Sequence, residues 1–294
     1  MRAVKNELSP AQTLQERRFM YEVLDTFPDF LKLWNGNPES WLIYIRKYPD
    51  LFEKIREDHS RYGTNWRDLL ERVLTKLSLK EAIRSHKRLL KAIPEVEGTA
   101  SRKLRLPDHL IVIYVGLENG AGWVTRFRGR SAVLMGIEAI SGLGWTDRAK
   151  QLLAHELGHL FHSSLRGAPL DDLCEGPLLL YVEGFAVRVE DLLVGRPWEV
   201  EYEGWFSWCE ENEALIAEEF LRSIDERSVN RFFGSWFEVM GWKFLGHYLG
   251  YRFIRWMEGK GLRLEEIALL SQENALKMIK EFLEEITGSS CSDR

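Results

Sequence analysis

Apolar positions along the chain change their spacing twice, and each change marks a different kind of element. From residue 8 to residue 93 they recur at helical intervals, Trp34, Trp41, Tyr44 and Tyr48 among them, with breaks at Pro28, Asn35-Gly-Asn-Pro38, Pro49, Gly63 and Pro94. This predicts a helical N-terminal region, 1–98, whose aromatic residues form its core. After a loop at Gly98–Pro107 the pattern becomes strand-like. Leu110-Ile-Val-Ile-Tyr-Val115 is a β-branched run, Glu118-Asn-Gly120 has hairpin-turn chemistry, Trp123-Val-Thr-Arg-Phe127 alternates, and Ala132–Ile137 follows a turn at Arg128-Gly-Arg130. A small antiparallel meander is expected. From Thr146, a candidate helix cap, the period returns to 3.6, with Leu152, Leu153, Leu157, Leu160 and Phe161 on one stripe. A second apolar helix covers Leu178–Leu193 and is ended by Gly195 and Pro197. From residue 209 helices resume, interrupted by glycines at 234, 241, 246, 250, 259 and 261. The fold class read from this order is α+β, mostly helical, with a small sheet before the first apolar helix. Residues 99–294 form the second region, and since no clean linker separates it from 1–98, one continuous domain fits equally well.

Composition narrows the function classes. The chain has 294 residues, 45% of them hydrophobic, and 40 Lys+Arg against 45 Asp+Glu leave a net charge of −5. That is ample for a large core and offers no broad positive field for nucleic acid. The basic clusters Ser85-His-Lys-Arg88 and Arg126-Phe-Arg-Gly-Arg130 read as a wet helix face and a charged turn. The greasiest stretch, Leu178–Val194, is interrupted by Glu183, Arg188, Glu190 and Asp191, so no membrane span is expected. The N-terminus lacks the apolar centre of a secretory signal, which gives a cytoplasmic expectation. Cys174, Cys209 and Cys291 are too few and too far apart for a disulfide framework or a thiolate zinc cluster. A zinc ion here must be held by nitrogen and oxygen, the ligand set of hydrolytic sites.

Three of the seven histidines lie between His155 and His162. His155-Glu156-Leu157-Gly158-His159 fits HExxH and falls in the middle of the first apolar helix. Residues four apart on a helix share a face about 6 Å apart, so both imidazoles reach one metal while Glu156 points toward its water. Zinc lowers the pKa of such a water to about 7, and the carboxylate takes its proton during attack on a carbonyl. Left without a metal among Leu, Ala and Phe, two histidines and an acid would cost stability.

A catalytic zinc needs a third protein ligand. Asp171 or Asp172 is conceivable, but both sit in a turn-rich loop. Glu183, 183 − 159 = 24 positions after the second histidine, is a carboxylate among apolar neighbours, and a helix returning antiparallel would deliver it. His162 shares the stripe but stands about 10 Å along the axis from His155, too far for one tetrahedral ion, and is read as supporting the ligands from behind or lining the cleft. Glu190 is either a carboxylate holding a ligand histidine by its other ring N–H or a solvated helix residue. The metzincin continuation is excluded, because His162 and Leu165 stand where it needs Gly and His.

Strands, an HExxH helix and then a helix bearing Glu183-Gly-Phe-Ala186 resemble the gluzincin metallopeptidases. The chain is most similar to a family of predicted, largely uncharacterised bacterial and archaeal zinc proteases, over residues 82–195. The resemblance implies a zincin-like fold, His155, His159 and Glu183 as zinc ligands, Glu156 as general base and a peptide or protein substrate. In that group an edge strand before the active helix binds substrate backbone. Thermolysin-like members carry Asn-Ala-x-Trp there. Asn119-Gly-Ala-Gly-Trp123 is loosely similar, which makes Asn119, Ala121 and Trp123 substrate-binding candidates beside the plain hairpin-turn reading. Val187 stands where those members have an aspartate.

Peptide hydrolysis builds negative charge on the carbonyl oxygen, so a donor should face the metal across the cleft. Gly246-His-Tyr-Leu-Gly-Tyr251 offers His247, Tyr248 and Tyr251, with aromatic helix packing as the competing account, and its glycines would allow close approach to the active helix. The expectation is a zinc metallopeptidase. Its rivals are a catalytically silent metal-binding module that acts through a protein partner, and a hydrolase of non-peptide amides; the sequence does not set an oligomeric state. An intact base beside intact ligands is what a purely structural site would not need.

Overall fold

The structure is a computed structural model that describes residues 21–61, 63–195 and 204–288. The predicted helical stretch 8–20, Pro197 and Cys291 lie outside the described residues. Helices dominate, around one four-stranded sheet.

Tyr21–Asp25 (β1) is a strand inside the region expected to be wholly helical. It is a short edge strand of mixed polarity, with too few residues for its period to stand out from the helices that follow. Those are Phe27–Leu33 (α1), Glu39–Ile45 (α2), Pro49–Arg61 (α3), Trp66–Leu74 (α4) and Leu79–Lys103 (α5). Trp41 and Tyr44 are fully buried, as the aromatic pattern required. Helix α5 runs through Pro94 and Gly98 rather than ending there. Pro94 removes one bond to the carbonyl of residue 90, and that turn is exposed, so water can take the carbonyl. The expected loop starts only at Leu104.

His109–Tyr114 (β2), Gly122–Phe127 (β3) and Arg130–Gly136 (β4) follow. The sheet is mixed and not an antiparallel meander: its order is β1-β2-β4-β3, with β2 parallel to both β1 and β4. Only β3 and β4 form a hairpin, and Arg128 and Gly129 in its turn both have positive φ, the type I′ pattern. Every residue of β2 is buried, the mark of a central parallel strand, and the continuous apolar run that carried this signal had no alternation to suggest a hairpin partner. Glu118-Asn-Gly120 is accordingly a loop between strands that do not pair. β3 becomes an edge.

After Ile137–Gly142 (α6) and a short turn at Trp145–Arg148 come Ala149–Arg166 (α7) and Leu179–Val194 (α8), capped by left-handed Gly195. Trp205–Glu211 (α9), Glu213–Asp225 (α10), Leu245–Gly259 (α11), Leu264–Ala268 (α12) and Gln272–Thr287 (α13) are the remaining α-helices of the described residues. One continuous cluster of buried apolar residues reaches from Phe27 to Leu283 and joins both sequence regions. Among the described residues, no helix is long and apolar enough to cross a membrane.

Small residues set the distances between three of these helices. A Cβ on Gly158 of α7 would lie 2.7 Å from the Ala186 Cα of α8, and one on Gly184 would lie 2.2 Å from the Gly250 carbonyl oxygen of α11. Gly250 of α11 therefore brings it close to α8, not to α7 as the sequence suggested, while Gly246 makes room for the Phe233 ring. Gly184→Ala should force α8 and α11 apart at a cost of about 1–3 kcal/mol or more. Thermal denaturation should show a melting point lower by several degrees, while Gly142→Ala, whose Cβ meets nothing within 4 Å, should melt within a degree or two of the parent or above it.

Candidate metal centre

Helices α7 and α8 run antiparallel: His162 meets Tyr181, His159 meets Glu183, Gly158 meets Ala186 and His155 meets Glu190. This is the return that the 24-residue separation called for. At its centre, His155 Nε2 lies 3.1 Å from His159 Nε2 and 3.2 Å from Glu183 Oε2, and His159 Nε2 lies 3.5 Å from that same oxygen. Ligand atoms held at about 2.0–2.1 Å around a tetrahedral ion stand roughly 3.3–3.4 Å apart, so the three edges match a common zinc-sized centre. One ligand atom from each of the three residues falls within 4.8 Å of the other two.

Gly184 and Ala186 explain the residues beside Glu183. The first lets α11 approach and the second receives α7, so Glu-Gly-x-Ala is the packing surface that puts the carboxylate between two helices. Glu183 has the two histidines and also His247 of α11 around it, with His247 Nε2 3.3 Å from Glu183 Oε2. Burial pushes the Glu183 carboxyl up, but the three imidazoles outweigh it and hold the group well below the usual carboxylate range. For His159 burial lowers the imidazole, and the charge and hydrogen bond of Glu183 reverse this to a net rise.

Glu156 is 5% exposed, and its Cγ and Oε1 lie against Gly122 of β3. Its Oε2 is buried with no hydrogen-bond partner among the described residues, and burial pushes the carboxyl up to about 7. An orphaned carboxylate oxygen beside a three-ligand cluster fits a metal-site water as its missing partner. Glu190 is fully buried, not solvated, and its Oε2 stands 3.7 Å from His155 Nδ1. Burial raises it to about 7, and His155 offsets part of that rise.

The other candidates separate clearly. His247 stands in the site. Tyr248, on the same helix, is packed against Trp205 and Phe206 and accepts a hydrogen bond from Arg252, while Tyr251 donates to Asp191. Of the three, His247 is the one set against Glu183. His162 is wholly buried, stacked 4.3 Å from Phe185 and 3.1 Å from the Tyr181 hydroxyl, with burial holding its pKa down to about 3. It lines no cleft; the turn of helix between it and His159 carries it into the core. Asp171 pairs with Arg61 at 3.0 Å, and neither Asp171 nor Asp172 belongs to the ligand cluster.

Asn119 is spent on the scaffold. Its amide donates to Ile55 O and Asp58, and its Oδ1 accepts the Leu117 N–H, so its side chain pins the loop before β3 to α3. Glu138 holds the same loop by accepting the Glu118 N–H. The Ala121 carbonyl accepts the Gly136 N–H, and the Trp123 indole donates to the Tyr114 hydroxyl. The residue that sequence reasoning missed is Gly122. A Cβ there would lie 2.6 Å from Glu156 Cγ and Oε1, so the edge strand touches the candidate base through a position that only glycine fills. The signal was present as glycines alternating with Asn119, Ala121 and Trp123, but it was indistinguishable from turn chemistry.

No family model, no curated protein and no solved structure matches the chain.

Proposed function

We propose that the chain is a zinc-dependent metallopeptidase with a zincin-like core. The observation that carries this reading is the joint placement of three tetrahedrally spaced ligand atoms, on His155, His159 and Glu183, with the orphaned carboxylate oxygen of Glu156 beside them. When bound, zinc supplies a Lewis acid for a carbonyl and lowers the pKa of water. Glu156 would accept the proton of the attacking water and return it to the leaving amine, and a nearby dication draws its raised pKa back toward the ionised form such a base needs. Glu190 would orient His155 through Nδ1. His247 would donate from Nε2 to the carbonyl oxygen as that oxygen gains charge.

A peptide is the favoured substrate because β3 is a sheet edge whose backbone meets Glu156 at Gly122. An extended polypeptide adds to such an edge by main-chain hydrogen bonds, and a small amide has no use for it. The zinc-loaded chain should cleave members of a mixed peptide library, read by mass spectrometry, and lose that activity to a chelator until zinc is restored. A fully loaded chain that cuts no peptide contradicts the reading. His247→Ala should keep its zinc while kcat falls about 10²–10³-fold with little change in KM.

A further inference from the structure

The twelve residues that precede α11 expose large apolar side chains although their two ends are fastened to the candidate centre. Phe233 at one end and Phe244 at the other both pack on the His247 ring, with centroids 5.7 and 5.2 Å away. Between them Trp236 is 81% exposed, Phe237 47% and Met240 42%. Scattered exposed apolar residues are ordinary, but three within five positions on one loop are not. The backbone gives a second observation. Met240 and Phe244 have φ of +55° and +60°, and they are the apolar residues among the few described non-glycine positions in the left-handed region. Bulky side chains there store strain, which collects where a site is shaped for a ligand. The Val239–Trp242 bridge closes a tight turn at Met240–Gly241, and the Trp208–Trp242 contact at 5.2 Å ties that turn to α9.

We infer that this loop, through Trp236, Phe237 and Met240, is the substrate-recognition element of the centre, and that it selects extended polypeptides carrying a bulky apolar side chain. The inference rests on the peptidase reading and names its substrate class. The occupant follows from where the loop is anchored: both stems bear on His247, whose Nε2 stands 3.3 Å from Glu183, so the tip is tethered to the group proposed to meet the peptide carbonyl. A lipid surface is the less favoured occupant, because the tip sequence Gly234-Ser-Trp-Phe-Glu-Val-Met-Gly241 carries an acid and no base.

The test uses the zinc-loaded Glu156→Gln chain, which can bind without cutting, and two extended peptides that differ by one Phe-to-Ala exchange. The Phe peptide should bind at least about tenfold more tightly, the scale of discrimination one apolar contact gives. In the added double substitution Trp236→Ala/Phe237→Ala that ratio should fall below about threefold, with zinc content unchanged. A ratio that survives the double substitution, or a parent that binds the two peptides equally or not at all, overturns the inference. So does loss of binding to neutral phosphatidylcholine vesicles with the peptide ratio intact, which assigns the tip to a lipid surface. The peptidase reading is read separately, from cleavage of the Phe peptide by the chain with Glu156 in place: binding without cleavage removes that reading and leaves the recognition loop standing.

Discussion

Glu183→Gln is expected to lower zinc affinity by more than about 10²-fold, beyond the 10–100-fold typical of losing a residue that only supports a ligand. The substitution keeps size and shape, so the helix packing at Gly184 and Ala186 is untouched. What it removes is the one formal negative charge facing three imidazoles, whose combined pull keeps that carboxyl ionised far below its usual range. A dication held by His155 and His159 alone has two neutral nitrogens and no anionic ligand, and its site loses two of the three ligand–ligand edges. Metal analysis after dialysis against micromolar chelator should find about one zinc in the parent and close to none in the variant, with helical circular dichroism retained by both. Equal occupancy in both would remove Glu183 from the ligand set.

Glu156→Gln is the second large effect, and it should separate binding from chemistry. Its side chain lies outside the ligand edges, with an oxygen that meets no partner among the described residues, so zinc content should stay at about one per chain. Turnover should fall by about 10²–10⁴-fold, the range for loss of a positioned general base. The isosteric amide also preserves the contact with Gly122, so a fall in kcat at nearly constant KM would point to the proton and not to the fit. A variant as active as the parent would leave the centre a metal-binding site without hydrolysis, the silent module that the sequence also allowed.

Much of the centre was legible because local spacing dictates it. His155, Glu156 and His159 are fixed by helical geometry alone, and Glu183 by the cost of an unexplained carboxylate in an apolar helix. Two readings that the sequence left open are narrowed by contacts: Glu190 lies beside His155, and of His247, Tyr248 and Tyr251 the histidine is the one set against Glu183. Long-range placement was not legible. Nothing local says that β4 inserts between β2 and β3, so a hairpin turn was read at Asn119, where the side chain in fact bonds across 64 residues to Ile55. His162 misled for a related reason. Its stripe was right, but a stripe does not say where a helix leaves the cleft and enters the core. The β1 strand and the continuation of α5 past Pro94 depend on sheet and core contacts that outweigh local propensity.

The central claim is that two imidazoles and one carboxylate hold a zinc ion with a position left for water. Zinc K-edge X-ray absorption of the loaded chain tests it directly. The account predicts a first shell of about four light atoms at roughly 2.0–2.1 Å, with the outer-shell signature of two imidazoles, and loss of most of the bound zinc in His155→Ala. A shell containing sulfur at about 2.3 Å, or one unchanged by that substitution, would place the metal elsewhere and contradict it.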